Sequence, residues 1–311
     1  MNQKKYCFIL LLIFLTSCNI IQTKKEQIAI PEIHKGTQGI ELEFLPNLPP
    51  SELYEENYFE VLLKISNKGA TDAQKGMLVM GAEEQQIDLD ADPDYRFDLK
   101  GKSVFNPEGT YILKQFKAKV RPLIPQISQY TTSITSTACY PYKTKTTTNI
   151  CIDTDITGIV RSKPCKPSKR TFAGGQGAPV AVTSVEPKML THEDDTKIRP
   201  EFEIKIQNLG PGKAIKKEYI YDACIGNPVG QQGQKIWDVI EVKATLSDME
   251  LTCKPETNIL TKEGTTLICT LHEGIDKSAG TYLAPLSIEI DYGYLNKEVK
   301  KINIKRLEQN I

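Results

Sequence analysis

Val61-Leu62-Leu63-Lys64-Ile65-Ser66-Asn67-Lys68-Gly69 decides the fold, because its plan returns at Phe202-Glu203-Ile204-Lys205-Ile206-Gln207-Asn208-Leu209-Gly210. In the first copy Val61, Leu63 and Ile65 point one way and Glu60, Lys64 and Ser66 largely the other; in the second Phe202, Ile204 and Ile206 alternate with Glu203, Lys205 and Gln207. Successive side chains of a strand point to opposite faces, so each copy reads as a strand with one apolar and one wet face. Each closes on Asn-x-Gly, whose Asn and Gly tolerate the positive φ of a turn.

The repeat extends outward from these strands. Ile40, Leu42 and Phe44 alternate ahead of Pro46, as Ala181–Val185 stands ahead of Pro187. Pro46 and Pro187, Asn67 and Asn208, and Gly69 and Gly210 share one spacing of 141. Towards the other end, Tyr140-Pro141-Tyr142 and Ile150-Cys151-Ile152 return as Tyr292-Gly293-Tyr294 and Ile302-Asn303-Ile304, now at a spacing of 152. The change places 11 extra residues in the middle of the second copy. A period above about 100 residues signals duplicated domains rather than a solenoid. Further strands are predicted at Met77–Met80, Tyr95–Leu99, Thr110–Val120 and Tyr130–Tyr142. The last is predicted to form a hairpin with Thr148–Ile152 across a Lys/Thr turn, and Leu286–Ile290 to lead into a matching final hairpin. The reading is all-β: a domain over 39–153, a linker over 154–178 with Cys165 and Gly174-Gly175-Gln176-Gly177, and a domain over 179–311.

Roughly seven short strands per unit, with regularly spaced turns, describe an immunoglobulin-like β-sandwich. The strand endings Ile65–Gly69 and Ile206–Gly210 resemble those of CARDB-type adhesion-related domains of archaeal and bacterial surface proteins. The whole layout resembles surface proteins of small-genome archaea. That resemblance implies surface presentation and paired β-sandwiches, and no particular chemistry. The single tryptophan, Trp237, lacks the Cys…Trp…Cys setting of antibody domains.

Location follows from the first residues. Lys4 and Lys5 precede an apolar run from Phe8 to Leu15, the pattern of a secretory signal. Leu15-Thr16-Ser17-Cys18 resembles the lipobox of prokaryotic lipoproteins. The resemblance implies a signal peptide over 1–17, a diacylglyceryl group on Cys18, and an extracytoplasmic protein tethered to a membrane through residues 18–38. The 39 basic and 39 acidic residues balance, which argues against nucleic acid as a partner. Cys139, Cys151, Cys165, Cys224, Cys253 and Cys269 remain, and six cysteines in an exported chain predict three disulfides with fifteen connectivities open. Adjacency along the chain suggests Cys139–Cys151 and Cys253–Cys269, leaving Cys165–Cys224.

Few residues point to chemistry. Asp88, Asp90, Asp92 and Asp94 alternate and read first as a solvated face; carboxylates so close are also candidate Ca²⁺ ligands, although Pro93 stands where an EF-hand loop needs glycine. No other cofactor is expected. His34, His192 and His272 are scattered, His192-Glu193-Asp194-Asp195 reads as a loop, and there is no Gly-x-Ser-x-Gly elbow. Tyr130, Tyr140 and Tyr142, within a run rich in Thr and Ser, form a candidate binding face for a protein or a sugar; the alternative is a threonine-rich sheet surface. The expected protein is therefore a non-catalytic surface module for adhesion or protein binding. An envelope assembly component and a carbohydrate-binding module are the other readings.

Overall fold

The computed structural model describes residues 33–92, 94–227 and 235–307. The signal, Cys18 and most of the tether lie outside them. In the first half the strands are β1 (Ile40–Phe44), β2 (Glu52–Tyr54), β3 (Tyr58–Asn67), β4 (Ala73–Ala82), β5 (Ile87–Asp90), β6 (Tyr95–Leu99), β7 (Tyr111–Val120) and β8 (Gln129–Asp153). Then come β9 (Arg170–Thr171), β10 (Val180–Thr191), β11 (Lys197–Asn208), β12 (Lys213–Ile215), the short helix α1 (Ile220–Cys224), β13 (Val239–Leu246), β14 (Met249–Lys254), β15 (Asn258–Ile259), β16 (Thr265–Thr270), β17 (Ile275–Asp276) and β18 (Thr281–Lys305). The chain is all-β, as the alternation required.

The alternating strand β3 is central in a four-stranded layer of order β1-β3-β7-β5. Its inward residues Val61, Leu63 and Ile65 are fully buried and share a core with Ile134, Ala138 and Tyr140 of β8. Its counterpart β11 lies between β10 and β16 and buries Phe202, Ile204 and Ile206. Beyond the stretch covered by β5, the outer edge of β7 is unpaired among the described residues. Lys114 stands in that open stretch, its ammonium 4.2 Å from the centre of the Tyr95 ring. A charge turned inward at an edge disfavours pairing with another chain.

The two predicted hairpins do not form. β8 runs unbroken through Lys143–Thr147, and β18 runs unbroken through Asn296–Lys300. Neither stretch holds a Gly or Pro to turn the chain, and threonine favours extended structure. The partner each strand needs is the other one. β8 and β18 pair antiparallel over their whole length, from Gln129 opposite Lys305 to Asp153 opposite Thr281. Pro141 lies opposite Gly293, its own equivalent in the repeat, so an approximate two-fold axis passes through that pair.

This ladder joins the halves. The start of β8 pairs with β4, while the end of β18 continues that sheet and takes β2 as a parallel neighbour. The start of β18 pairs with β13, and the end of β8 continues that sheet. Each half therefore carries the end of the other half's long strand. The boundaries expected at 153 and 179 do not divide two separately paired sheets, and residues 32–311 cluster as one compact unit. β14 pairs with β13 at one end and β16 at the other, crossing from one layer to the next. The change of spacing in the repeat also has its cause here. The equivalent of β4 is split into β12 and β13, with α1 inserted between them.

Candidate functional site

At the two-fold axis the side chains of Tyr140, Tyr142, Tyr292 and Tyr294 meet on one face of the ladder. Their rings contact edge to face or tilted, with centroids 5.4–6.3 Å apart. Such contacts add to area burial. Each hydroxyl has a partner. Tyr140 accepts from the Ile40 N–H at 3.0 Å, and Tyr292 accepts from the Val180 N–H at 3.4 Å. Tyr142 accepts from the Thr71 N–H and donates to Asn67 Oδ1 at 3.3 Å; Tyr294 accepts from the Gly212 N–H and donates to Asn208 Oδ1 at 3.1 Å. Burial raises all four hydroxyl pKa values, that of Tyr294 up to about 12. Tyr140 and Tyr142 are thus core residues and not a binding face. Alternation along an unbroken β8 turns both inward. Tyr130, also assigned to that face, is half-buried and donates to Glu83 Oε1 at 2.8 Å.

The same contacts explain the Asn-x-Gly signature. Asn67 Nδ2 donates to the carbonyls of Thr71 (2.9 Å) and Leu99 (3.0 Å), and its Oδ1 accepts from the Gly69 N–H at 3.0 Å. Asn208 does the same with the Gly212 carbonyl (2.8 Å) and the Gly210 N–H (3.2 Å). A Cβ on Gly69 would overlap the Tyr142 hydroxyl, and one on Gly210 would lie 2.5 Å from the Tyr294 hydroxyl. The signature holds each turn to a core tyrosine.

Two expected disulfides are corrected. The structure pairs Cys139 with Cys224 and Cys151 with Cys165, in place of Cys139–Cys151 and Cys165–Cys224; Cys253 and Cys269 are joined, as adjacency suggested. Without a hairpin, Cys139 and Cys151 lie along one strand about 40 Å apart, far beyond the about 7 Å limit between bridged Cα atoms. Cys139 faces outward instead, under the insertion. There Ile215, Ile220, Cys224 and Ile236 pack on Met77 and Cys139 as a second small core. Tyr221 of α1 donates to the Lys75 carbonyl at 2.7 Å and receives Arg96 over its ring at 4.4 Å. The insertion thus fastens the second half to the first. Its only sequence signal was the jump in spacing.

The four aspartates do not gather. Asp88 and Asp90 project from the exposed face of β5, Asp92 and Asp94 lie in the following loop, and Asp88 pairs with Arg121 at 3.5 Å. Among the described residues no group of three or more His, Cys, Asp or Glu can hold a metal ion. His192 Nδ1 accepts from the Asp194 N–H, and Asp194 accepts from Thr196, so that segment is a hydrogen-bonded turn.

The Cys151–Cys165 bridge closes a loop at the end of β8. Asp155 is its hub, accepting from the N–H groups of Val160 (2.8 Å) and Ile159 (3.2 Å), the Thr157 hydroxyl (3.0 Å) and Lys163 (3.1 Å). The Val160 N–H above all, with Lys163, the Ile159 N–H and Thr157, holds its carboxyl far below the usual carboxylate range. Lys163 also binds Asp153 at 2.7 Å. Outside this knot Ile156, Ile159 and Val160 are exposed. A groove of about 610 Å³ beneath them is bounded also by Thr191, Lys277 and Thr281.

No protein-family model and no curated protein matches this chain. Among solved structures, a secreted serine protease, VesC from Vibrio cholerae, is 8% identical over 87% of this chain and 52% of its own, with a TM-score of 0.22. The chain thus spans about half the length of that protease. The CupB6 tip adhesin from Pseudomonas aeruginosa is 10% identical over 88% of this chain and 98% of its own, with a TM-score of 0.19. Scores this low support neither a shared fold nor a shared activity.

Proposed function

We propose that this chain is a lipid-anchored, non-catalytic extracytoplasmic protein that presents a duplicated β-structure for adhesion or protein binding. The observation that carries the reading is that all six cysteines after Cys18 are joined in three disulfides. Disulfides persist in oxidising compartments outside the cytoplasm. The sequence Leu15-Thr16-Ser17-Cys18 supports the lipid anchor, since two acyl chains give the stable attachment that one does not. The ladder supports a presenting role: it fixes both halves as one body, with loops at its ends free for a partner.

Palmitate labelling of the producing cells tests the anchor. The full chain incorporates label and Cys18→Ala does not; label retained by Cys18→Ala removes the lipoprotein reading. Protease added to intact cells and chemical cross-linking test the rest. Protection of the whole chain until the cytoplasmic membrane itself is opened places it inside the cell and overturns the proposal, whereas a recurring cross-linked protein supports it. Binding to envelope glycan with no protein partner favours the carbohydrate reading instead.

A further inference from the structure

We infer that the loop closed by Cys151–Cys165 is a second membrane contact, which inserts Ile156, Ile159 and Val160 into a lipid surface. This rests on the lipid-anchored reading for the nearness of that surface. Ile159 is 80% exposed, Val160 53% and Ile156 38%. Leu283, opposite Cys151 on β18, adds a fourth apolar side chain at 55%. These residues lie at the end of the ladder where Asp153 faces Thr281.

Three features favour lipid over water or a protein groove. First, the charged groups at the base of the loop, Asp153, Asp155 and Lys163, are already bonded to one another. Asp155 takes two N–H groups, a hydroxyl and an ammonium, and Asp153 takes Lys163 and the Thr281 hydroxyl. Entering an interface therefore leaves few polar groups unpartnered. Second, the disulfide and the Lys163 bridges hold the loop in shape, so little ordering is needed on contact. Third, the anchor can reach. The described chain begins at Ile33, whose carbonyl lies near Gly177, and the next residue, His34, lines a groove with Thr146, Thr147 and Gly175. From Thr147 the loop lies about 20 Å along β8. Fourteen residues lie between Cys18 and Ile33, and the stretch spans at most about 50 Å. The bilayer that holds Cys18 is thus within reach of the loop, at high effective concentration.

The charges nearby are mixed. Arg161 is exposed within the loop, next to Val160, and Lys166 is exposed just after it, but Glu193, Asp194 and Asp195 lie on the hairpin next to it, where Lys277 donates to the Asp195 carbonyl. The contact is therefore apolar in character and does not depend on anionic lipid.

The test uses the full lipidated protein in phosphatidylcholine vesicles, with Trp237→Phe and Ile159→Trp giving one reporter at the loop. Brominated acyl chains should quench that tryptophan at least twofold more than native Trp237 in the unmodified protein. Equal quenching overturns the proposal. A second arm separates it from the anchor reading: Cys18→Ser protein is sedimented with the same vesicles. It should partition at least tenfold better than the same protein carrying Ile156→Asp, Ile159→Asp and Val160→Asp, with all three disulfides verified in both. No difference sinks the loop contact while leaving lipidation of Cys18 intact. Quenching that appears only when other cell proteins are added makes the loop a protein-docking site, against the proposal.

Discussion

Replacing Asn67 with alanine removes the centre of the first turn. Asn67 is 0% exposed, and its side chain serves the Thr71 and Leu99 carbonyls, the Gly69 N–H and the Tyr142 hydroxyl. The hydroxyl still receives the Thr71 N–H, and the Thr71 contact is only partly buried. The main loss falls on the Leu99 carbonyl and the Gly69 N–H, which are left buried without a partner. At about 1–3 kcal/mol for each such group, Asn67→Ala should cost about 2–6 kcal/mol. Asn67→Asp keeps the shape but sets a carboxylate oxygen against two carbonyls, so it should cost at least as much. Asn208 is half-buried and makes three such bonds, so Asn208→Ala should cost about 1–3 kcal/mol. Urea unfolding with the disulfides intact measures each value from the midpoint at unchanged slope. A loss below about 1 kcal/mol for Asn67→Ala, or a larger loss for Asn208→Ala, would refute the account of the signature as a buried hub.

Other outcomes follow from the same structure. Unfolded tyrosine ionises near pH 10 and the four core tyrosines are raised above that value, so their contribution is complete below about pH 10 and is lost as pH rises through the folded values. Above pH 10 stability should fall by about 5 kcal/mol per pH unit for the four together, with tyrosinate absorbance rising in step with loss of the circular dichroism signal. Full titration in a still-folded chain would contradict the burial. Removing Cys139–Cys224, separated by 85 residues, should cost about 4–5 kcal/mol, against about 3 for Cys253–Cys269 at 16; paired Cys→Ala variants in urea test the order. Gly293→Val puts a side chain against Ile215 and Ile220, whose atoms lie 2.9–3.2 Å from a Cβ there, and should cost about 1–3 kcal/mol by loosening the insertion; a neutral effect on the melting temperature would count against that packing. Lys114→Val removes the inward charge from the open edge of β7 and should increase self-association in sedimentation velocity, whereas an unchanged monomer fraction would show that the charge does not guard the edge.

Much of the local structure was legible in the chain. Alternation at Val61–Ile65 and Phe202–Ile206 fixed strands and their buried faces, because the two-residue period of a strand is a local property. The repeated Asn-x-Gly marked equivalent turns, and the jump in spacing marked an insertion. What the long strands do was not legible. Lys143–Thr147 can turn or extend, and only β18, some 150 residues away, makes extension the better choice by pairing with it. That pairing turned Tyr140 and Tyr142 from a surface into a core. It separated Cys139 from Cys151 and brought Cys224 over the ladder. Sequence alone determined which residues alternate, repeat and leave the cytoplasm in the proposed reading. Tertiary structure decided which of them meet, because a strand's partner, and hence each side chain's neighbours, depends on contacts far apart in the chain.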